Sequence, residues 1–266
     1  MNYIGEHLLP GQSGHFFITL SLVASLVACI AYSKSANAGL AEVAESWKRL
    51  ARIAFIIDCI SVFSIFGILY YIISAHLFEY FYAWNHSSKS LSPNYLLSCI
   101  WEGQEGSFLL WTVWHCVLGI ILLFKAKRWE APVMAVISFM QFCLAAMIIG
   151  IYIFDSKIGS NPFVLLRDSG ILDKAPFLHE ATTGQLKENY LQFIYDRDGQ
   201  GLNQLLQNYW MVIHPPILFL GFASTIVPFA YAIAGLWKKD YSGWTKAVLP
   251  WTLFSACILG TGIIMG

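Results

Sequence analysis

Six long apolar runs constrain this chain more than any other feature. They lie near Phe16 to Tyr32, Ile53 to Ile73, Phe108 to Phe124, Pro132 to Phe154, Pro216 to Leu236, and from Val248 to the last residue. A hydrocarbon core about 30 Å thick takes roughly 20 mostly apolar residues per helical crossing, and each run meets that need. Composition agrees: 57% of residues are hydrophobic and 12% charged, with a mean hydropathy of +0.59, so the chain could not stay in water alone. Backbone groups in lipid must be satisfied internally, and runs this long suit helices rather than the alternating strands of an outer-membrane barrel. The expected fold class is all-α: a polytopic integral membrane protein with about six transmembrane helices and one long outer-face loop. Residues 1–154 form an N-terminal four-helix membrane region, 155–211 the outer-face loop, and 212–266 a two-helix segment.

Sidedness follows from the cations, which concentrate in cytoplasmic loops. The loop from Ser33 to Arg52 holds Lys34, Lys48, Arg49 and Arg52. The loop after the third helix holds Lys125, Lys127 and Arg128, and the one after the fifth Lys238, Lys239 and Lys246, making ten of sixteen cations. The segment before Phe16 has none, Ser74 to Ser107 has only Lys89, and the stretch between Phe154 and His214 holds five cations against more acids. The N-terminus, the long loop, Trp101 and His214 are therefore expected on the outer side. The first residues lack a basic leader and a small-residue cleavage site, so the first helix is expected to remain.

Several chemistries are excluded. Cys29, Cys59, Cys99, Cys116, Cys143 and Cys257 are scattered, without CxxC or CxxCH, and read as buried small hydrophobes. No Walker loop, GxGxxG, HExxH or GxSxG occurs. The long loop is the one sizeable piece outside the membrane; it reads as irregular, with a short helix near Gln185 to Ile194. No nucleic-acid partner is expected.

Two outer-face clusters stand out. In NYWMVIHPPILFLG, His214 precedes Pro215 and Pro216 at the start of an apolar run. A residue before proline is pushed out of the α region, while proline is tolerated in a first helical turn. His214 is thus expected to cap a helix that Pro215 and Pro216 open, holding an imidazole at the membrane surface as a metal or cofactor ligand would be held. In WEGQEGSFLLW, Glu102 and Glu105 alternate with Gly103 and Gly106 ahead of a helix that Ser107 is expected to cap. This reads either as a helix start whose acids favour the dipole, or as the polar wall of a site. Most tryptophans fall at membrane boundaries. Trp101, and Trp210 four positions before His214, are the candidates for cofactor packing.

The segments NQLLQNYWMVIHPPILFLGF (Asn203 to Phe222), WEGQEGSFLLW (Trp101 to Trp111) and SNPF (Ser160 to Phe163) resemble, in content and order, the N-terminal part of CcmF-type cytochrome c haem lyases of the haem-handling (CcmF/CcsA) membrane protein superfamily. Gln204 departs from the proline common after Asn, and Glu102 and Gln104 stand where Gly and His are common.

The resemblance implies a bacterial inner-membrane protein with its N-terminus and His214 on the periplasmic side. Haem would be held in a tryptophan-rich segment between two outward histidines, and His214 matches the first, an axial iron ligand. Trp101, Glu105, Gly106, Trp210, Pro215 and Pro216 are the accompanying candidate cofactor-binding residues. The implied chemistry is thioether formation between haem vinyl groups and the thiols of a CxxCH motif in apocytochrome c, alongside other maturation membrane proteins. The family also carries haem b within the membrane. His115, about eight residues or roughly 12 Å into the third helix, is either a haem iron ligand or a neutral histidine bonded to a neighbouring helix. His7, His15, His86 and His179 show no supporting partners in sequence.

In the family, the region around Met265 and Gly266 leads into the tryptophan-rich segment. Residues 212–266 accordingly read as the start of a cytochrome c assembly domain, truncated before that segment in a fragment or split-gene product. Two other readings stay open: an intramembrane transporter or quinone-coupled subunit with His115 and Asp58 as relay groups, or a non-catalytic scaffold whose His214 merely caps a helix. One axial ligand and part of a pocket predict that the 266-residue chain does not attach haem unaided. Coexpression with an apocytochrome as sole partner checks this: no holocytochrome c is expected, and its formation would contradict the expectation.

Overall fold

A computed structural model describes residues 3–154, 156–180 and 183–266. In chain order the elements are α1 (Leu8–Asn37), α2 (Ala41–Ser74), α3 (Phe81–His86), α4 (Cys99–Glu102), α5 (Gln104–Lys125) and α6 (Glu130–Ile149). There follow a hairpin of β1 (Ile151–Ile153) and β2 (Ser156–Ile158), then α7 (Tyr190–Arg197), α8 (Tyr209–Ser224), α9 (Ile226–Lys238) and α10 (Gly243–Met265). Among the described residues, six spans are long and apolar enough to cross a membrane, with α8 and α9 forming one of them. This is the expected all-α polytopic architecture. Helices α1, α2, α5 and α6 make a bundle; α8 packs on α5, α9 on α6, and α10 against both α8 and α9.

The boundaries differ from expectation where local chemistry intervenes. The fourth span stops at Ile149 rather than Phe154, because Gly150 takes φ +77° and turns the chain into the antiparallel β1–β2 hairpin. The fifth begins at Tyr209 rather than Pro216, and divides at Thr225 three residues before Pro228. Pro228 lacks the N–H that would bond to the Ser224 carbonyl, a common cause of helix breaks. Helix α2 starts at Ala41, so Asp58 sits at mid-helix. There Asp58 is fully buried and accepts hydrogen bonds from Ser21 Oγ of α1 (2.5 Å) and Gln141 Nε2 of α6 (3.3 Å), joining three helices by side chains.

The cation-rich turns gather at one end of the bundle. Arg52 Nε and Nη2 donate to the two Glu130 oxygens at 2.6 and 2.7 Å, Arg128 pairs with Asp240 at 2.8 Å, and Trp237 Nε1 donates to Asn37 Oδ1 at 2.8 Å. At the other end the long loop folds into an ordered cap. Its chain pairs with residues 79–81 through Leu166 N to Glu79 O (2.7 Å) and Phe81 N to Val164 O (3.0 Å). The buried Glu79 carboxylate receives the His7 backbone N–H (3.0 Å), contacts His7 Nδ1 (2.9 Å), and accepts from Tyr195 Oη (2.9 Å). Arg167 and Tyr190 both bond to Glu6. The short loop helix is α7, displaced toward the C-terminal side of its expected position.

The histidines without partners in sequence gain them in space. His7 meets Glu79, His15 Nδ1 lies 3.0 Å from Asn161 Nδ2, His86 Nδ1 lies 3.0 Å from Glu102 Oε2, and His179 Nδ1 lies 3.2 Å from the Ala175 carbonyl. These pairings cross up to 146 residues, beyond the reach of local pattern.

Asp198 closes the cap. Its carboxylate accepts the backbone N–H groups of Lys89 (2.8 Å), Gly199 (2.7 Å) and Ser90 (3.4 Å). Burial raises its pKa, but these N–H groups and the Lys89 charge outweigh that and hold it below the ordinary carboxylate value. A depressed folded pKa contributes stability above the unfolded value of about 3.9, and that stability is lost as pH falls through the folded pKa. Amide hydrogen exchange at Lys89 and Ser90 is therefore expected to accelerate on acidification below about pH 4, and Asp198→Asn to remove that acid-dependent step while raising exchange at neutral pH.

Candidate functional site

His214 lies inside α8, not at its cap. The helix starts at Tyr209 with Asn208 extended before it, and Pro215 and Pro216 occupy interior positions. Interior prolines cost the helix hydrogen bonds, and here a side chain from elsewhere takes up a carbonyl that they leave free. Pro215 offers no N–H to the Met211 carbonyl four residues earlier. The Trp101 indole Nε1 donates to that carbonyl at 2.8 Å. The two clusters singled out in sequence are thus joined by one hydrogen bond.

On its other side His214 meets the end of α10. The two helices run antiparallel in close register: Ser224 Oγ lies 3.0 Å from Ser255 Oγ, Gly221 faces Leu259, Gly262 faces Leu218, and Gly266 faces the His214 ring. A Cβ at Gly262 would lie 2.9 Å from Leu218 Cα, and one at Gly266 only 2.6 Å from His214 Cε1, so small residues permit the approach. His214 Nδ1 is buried and has no hydrogen-bond partner among the described residues. Trp210, one turn before it, is 44% exposed and packs on Tyr209 with ring centroids 4.4 Å apart.

The Trp101 cluster is built tightly. Helix α4 ends at Glu102 and α5 begins at Gln104, with Gly103 extended between them. Ser107 is therefore inside α5 rather than capping it, and its hydroxyl donates to the Trp101 carbonyl at 2.9 Å. Tyr82 Oη donates to the Ile100 carbonyl (2.6 Å) and accepts from the Gly103 N–H (3.1 Å). Gly106 is required by the fold: a Cβ there would sit 1.4 Å from the Ile100 carbonyl oxygen. Trp101 is 5% exposed. Glu102 is engaged by His86 and by the Asn203 N–H (3.3 Å), which ties the segment entering α8 to the start of α5. Glu105, half-buried in the first turn of α5, has the position that favours the helix dipole. Burial pushes the neighbouring Cys99 thiol up to about 12, keeping it protonated and unreactive.

His115 is not part of this cluster. It is eleven residues into α5 and 1% exposed, beside Gln141 and the Ala223 backbone, with its ring centroid 6.2 Å from that of Trp111. Ala223 lies nine residues beyond His214 on α8, roughly 13 Å deeper at 1.5 Å per residue. Neither His115 nitrogen has a partner within strict hydrogen-bond geometry among the described residues, while Gln141 of α6 and the Ala223 backbone of α8 lie beside the ring. SNPF has a packing role: Phe163 is buried against Gly14 of α1, and Asn161 Oδ1 accepts the Phe163 N–H at 2.9 Å.

Sequence reasoning missed Tyr82, His86 and Asn203, whose partners are distant in the chain. It also missed the Trp101–Met211 bond, for which a signal existed: the position four residues before an interior proline needs an outside donor.

Comparison with known proteins places the chain in a family. The family model described as "Cytochrome C assembly protein" matches residues 101–266, from Trp101 to the end of α10. "Cytochrome c-type biogenesis protein CcmF" of Haemophilus influenzae is 29% identical over 260 residues, covering 96% of this chain and 34% of that protein. The protein of the same description from Pseudomonas fluorescens is 30% identical over 207 residues, covering 76% and 26%. The chain thus spans about a third of the length of such relatives. A solved structure of "Cytochrome c Heme Lyase CcmF" superposes with a TM-score of 0.68 at 21% identity, covering 98% of this chain and 36% of that one, a likeness of fold. With the family match running through the Trp101 turn, the prolines of α8 and the α8–α10 seam, the chain belongs to the cytochrome c assembly protein family.

Proposed function

We propose that the chain works in cytochrome c maturation, as the part of a haem-handling membrane protein that presents His214 to haem at the outer face of the membrane. The observation that carries this reading is His214 itself. Its ring stands at the loop-covered end of the bundle, against Gly266 and one turn beyond the carbonyl that Trp101 holds, with Nδ1 free of any protein partner among the described residues. A buried polar atom without a partner is uncommon and calls for an explanation. A neutral imidazole is a good iron ligand, and an axial histidine tunes the metal it holds. The residues fit haem in kind: a ligating nitrogen, the half-exposed aromatic surface of Trp210 and Tyr209, and a carboxyl at Glu105.

In this reading haem is the substrate, and its bound iron would hold the macrocycle against His214 while the vinyl groups face the thiols of a CxxCH motif in apocytochrome c. Pro215 and Pro216 keep the backbone beneath His214 stiff, and Gly266 keeps space beside the ring. Residues 212–266 contribute His214 and the α8–α10 seam to the assembly region that the family model matches from Trp101 onward. The wider activity, thioether formation, and the partnership with other maturation membrane proteins are carried over from the relatives as proposals. The concentration of cations at the far end of the bundle supports an inner-membrane protein with His214 on the periplasmic side. His115, deep in the bundle and remote from His214, has no role in this outer site.

The test is haem binding by purified protein in detergent. His214→Ala is expected to lower haem affinity at least about tenfold and to change the iron absorption spectrum, since it removes an axial ligand. Unchanged occupancy and an unchanged spectrum would defeat the assignment.

A further inference from the structure

We propose that Trp101 is a positioning residue for His214, acting through the backbone of α8 rather than by touching haem; this rests on the reading of His214 as a haem ligand. The argument begins with hydrogen-bond accounting. In an uninterrupted α-helix the N–H of residue 215 would bond to the carbonyl of residue 211. Proline at 215 has no N–H, so the Met211 carbonyl must find another donor or remain unsatisfied, at a cost that grows as water is excluded. The Trp101 indole N–H supplies it at 2.8 Å.

That indole is well placed to act as a fixed point. Trp101 is 5% exposed, its own carbonyl accepts from Ser107, and its chain is pinned by Tyr82 across the Ile100 carbonyl and the Gly103 N–H. Its only polar side-chain atom is already committed to Met211, so it has no hydrogen bond left to offer a cofactor. Met211 is three residues before His214, on the same side of one helical turn. An α-helix rotates about 100° and rises about 1.5 Å per residue, so any slip or rotation of the first turns of α8 moves the imidazole by ångströms. At the end of α10, Gly266 lies against the His214 ring. The first turns of α8 are therefore fixed by Trp101 at the backbone, and the imidazole is bounded by α10.

The same accounting provides the test, because Pro215→Ala returns an N–H to position 215 and makes the indole dispensable. Four proteins are compared: the parent, Trp101→Phe, Pro215→Ala and the double variant. Each is measured by haem titration in detergent and by thermal unfolding without haem. Trp101→Phe in the parent background is expected to weaken haem binding about fivefold, the equivalent of one net hydrogen bond, and to lower the unfolding temperature. In the Pro215→Ala background the same substitution is expected to change either quantity by less than about twofold. Replacing Trp101 by its benzothiophene isostere, which keeps the ring shape and removes the N–H, is expected to give the same pattern, and it covers the case in which the phenylalanine variant does not fold.

An equal loss of haem affinity in both backgrounds would overturn the proposal, since it would mean that the ring packs on haem directly. No loss in the parent background while His214→Ala abolishes binding would overturn it as well. Failure of the underlying reading has a separate signature: His214→Ala leaves haem affinity unchanged, while unfolding still reports whether Trp101 and Pro215 are coupled.

Discussion

A helix entering a bilayer leaves few places where a backbone carbonyl can go unpaired, and α8 contains such a place by sequence. Two consecutive prolines follow His214, and Pro215 strips the Met211 carbonyl of its helical partner. The structure answers with the Trp101 indole, carried in from the turn between α4 and α5. Much of the outer end depends on this pairing. It requires the α4–α5 turn to be compact, which Gly106 permits and Tyr82 fixes, and it draws the segment from Asn203 against Glu102. The stiff proline stretch and its distant donor are two parts of one arrangement, separated by 110 residues.

The outer cap and the seam at α10 extend the same logic of mutual restraint. Glu79 gathers His7 and Tyr195, and Glu6 gathers Arg167 and Tyr190, so the N-terminal residues and the long loop close over one end of the bundle. Asp58, between Ser21 and Gln141, holds three helices together below. On α10 the small residues at 255, 262 and 266 let it approach α8 closely enough for its end to reach the His214 ring.

The six crossings and the clustering of cations at one end were legible in the sequence because hydropathy and loop charge are local sums. Element boundaries were less so. The end of the fourth span depended on Gly150 adopting a positive φ, and the start of the fifth on Tyr209 to His214, ahead of the prolines, being helical. The expectation that His214 caps its helix applied the local rule for a residue before proline correctly. It failed because a residue 110 positions away satisfies the carbonyl that the rule leaves exposed. The partners of His7, His15 and His86 are hidden from sequence for the same reason: they are assembled by the fold. Trp101 and His214 were recognisable as important from their motifs, but the physical bond between them was not.

The central claim is that the indole of Trp101 serves the backbone of α8. It is tested most directly by solid-state NMR on the membrane-embedded protein, with 15N at the Trp101 indole and 13C at the Met211 carbonyl. The account predicts a through-space cross peak between these nuclei, as their 2.8 Å N···O contact requires, and a carbonyl shift typical of a hydrogen-bonded helix. A missing cross peak, with the Met211 carbonyl reporting a water-exposed or unbonded environment, would contradict it.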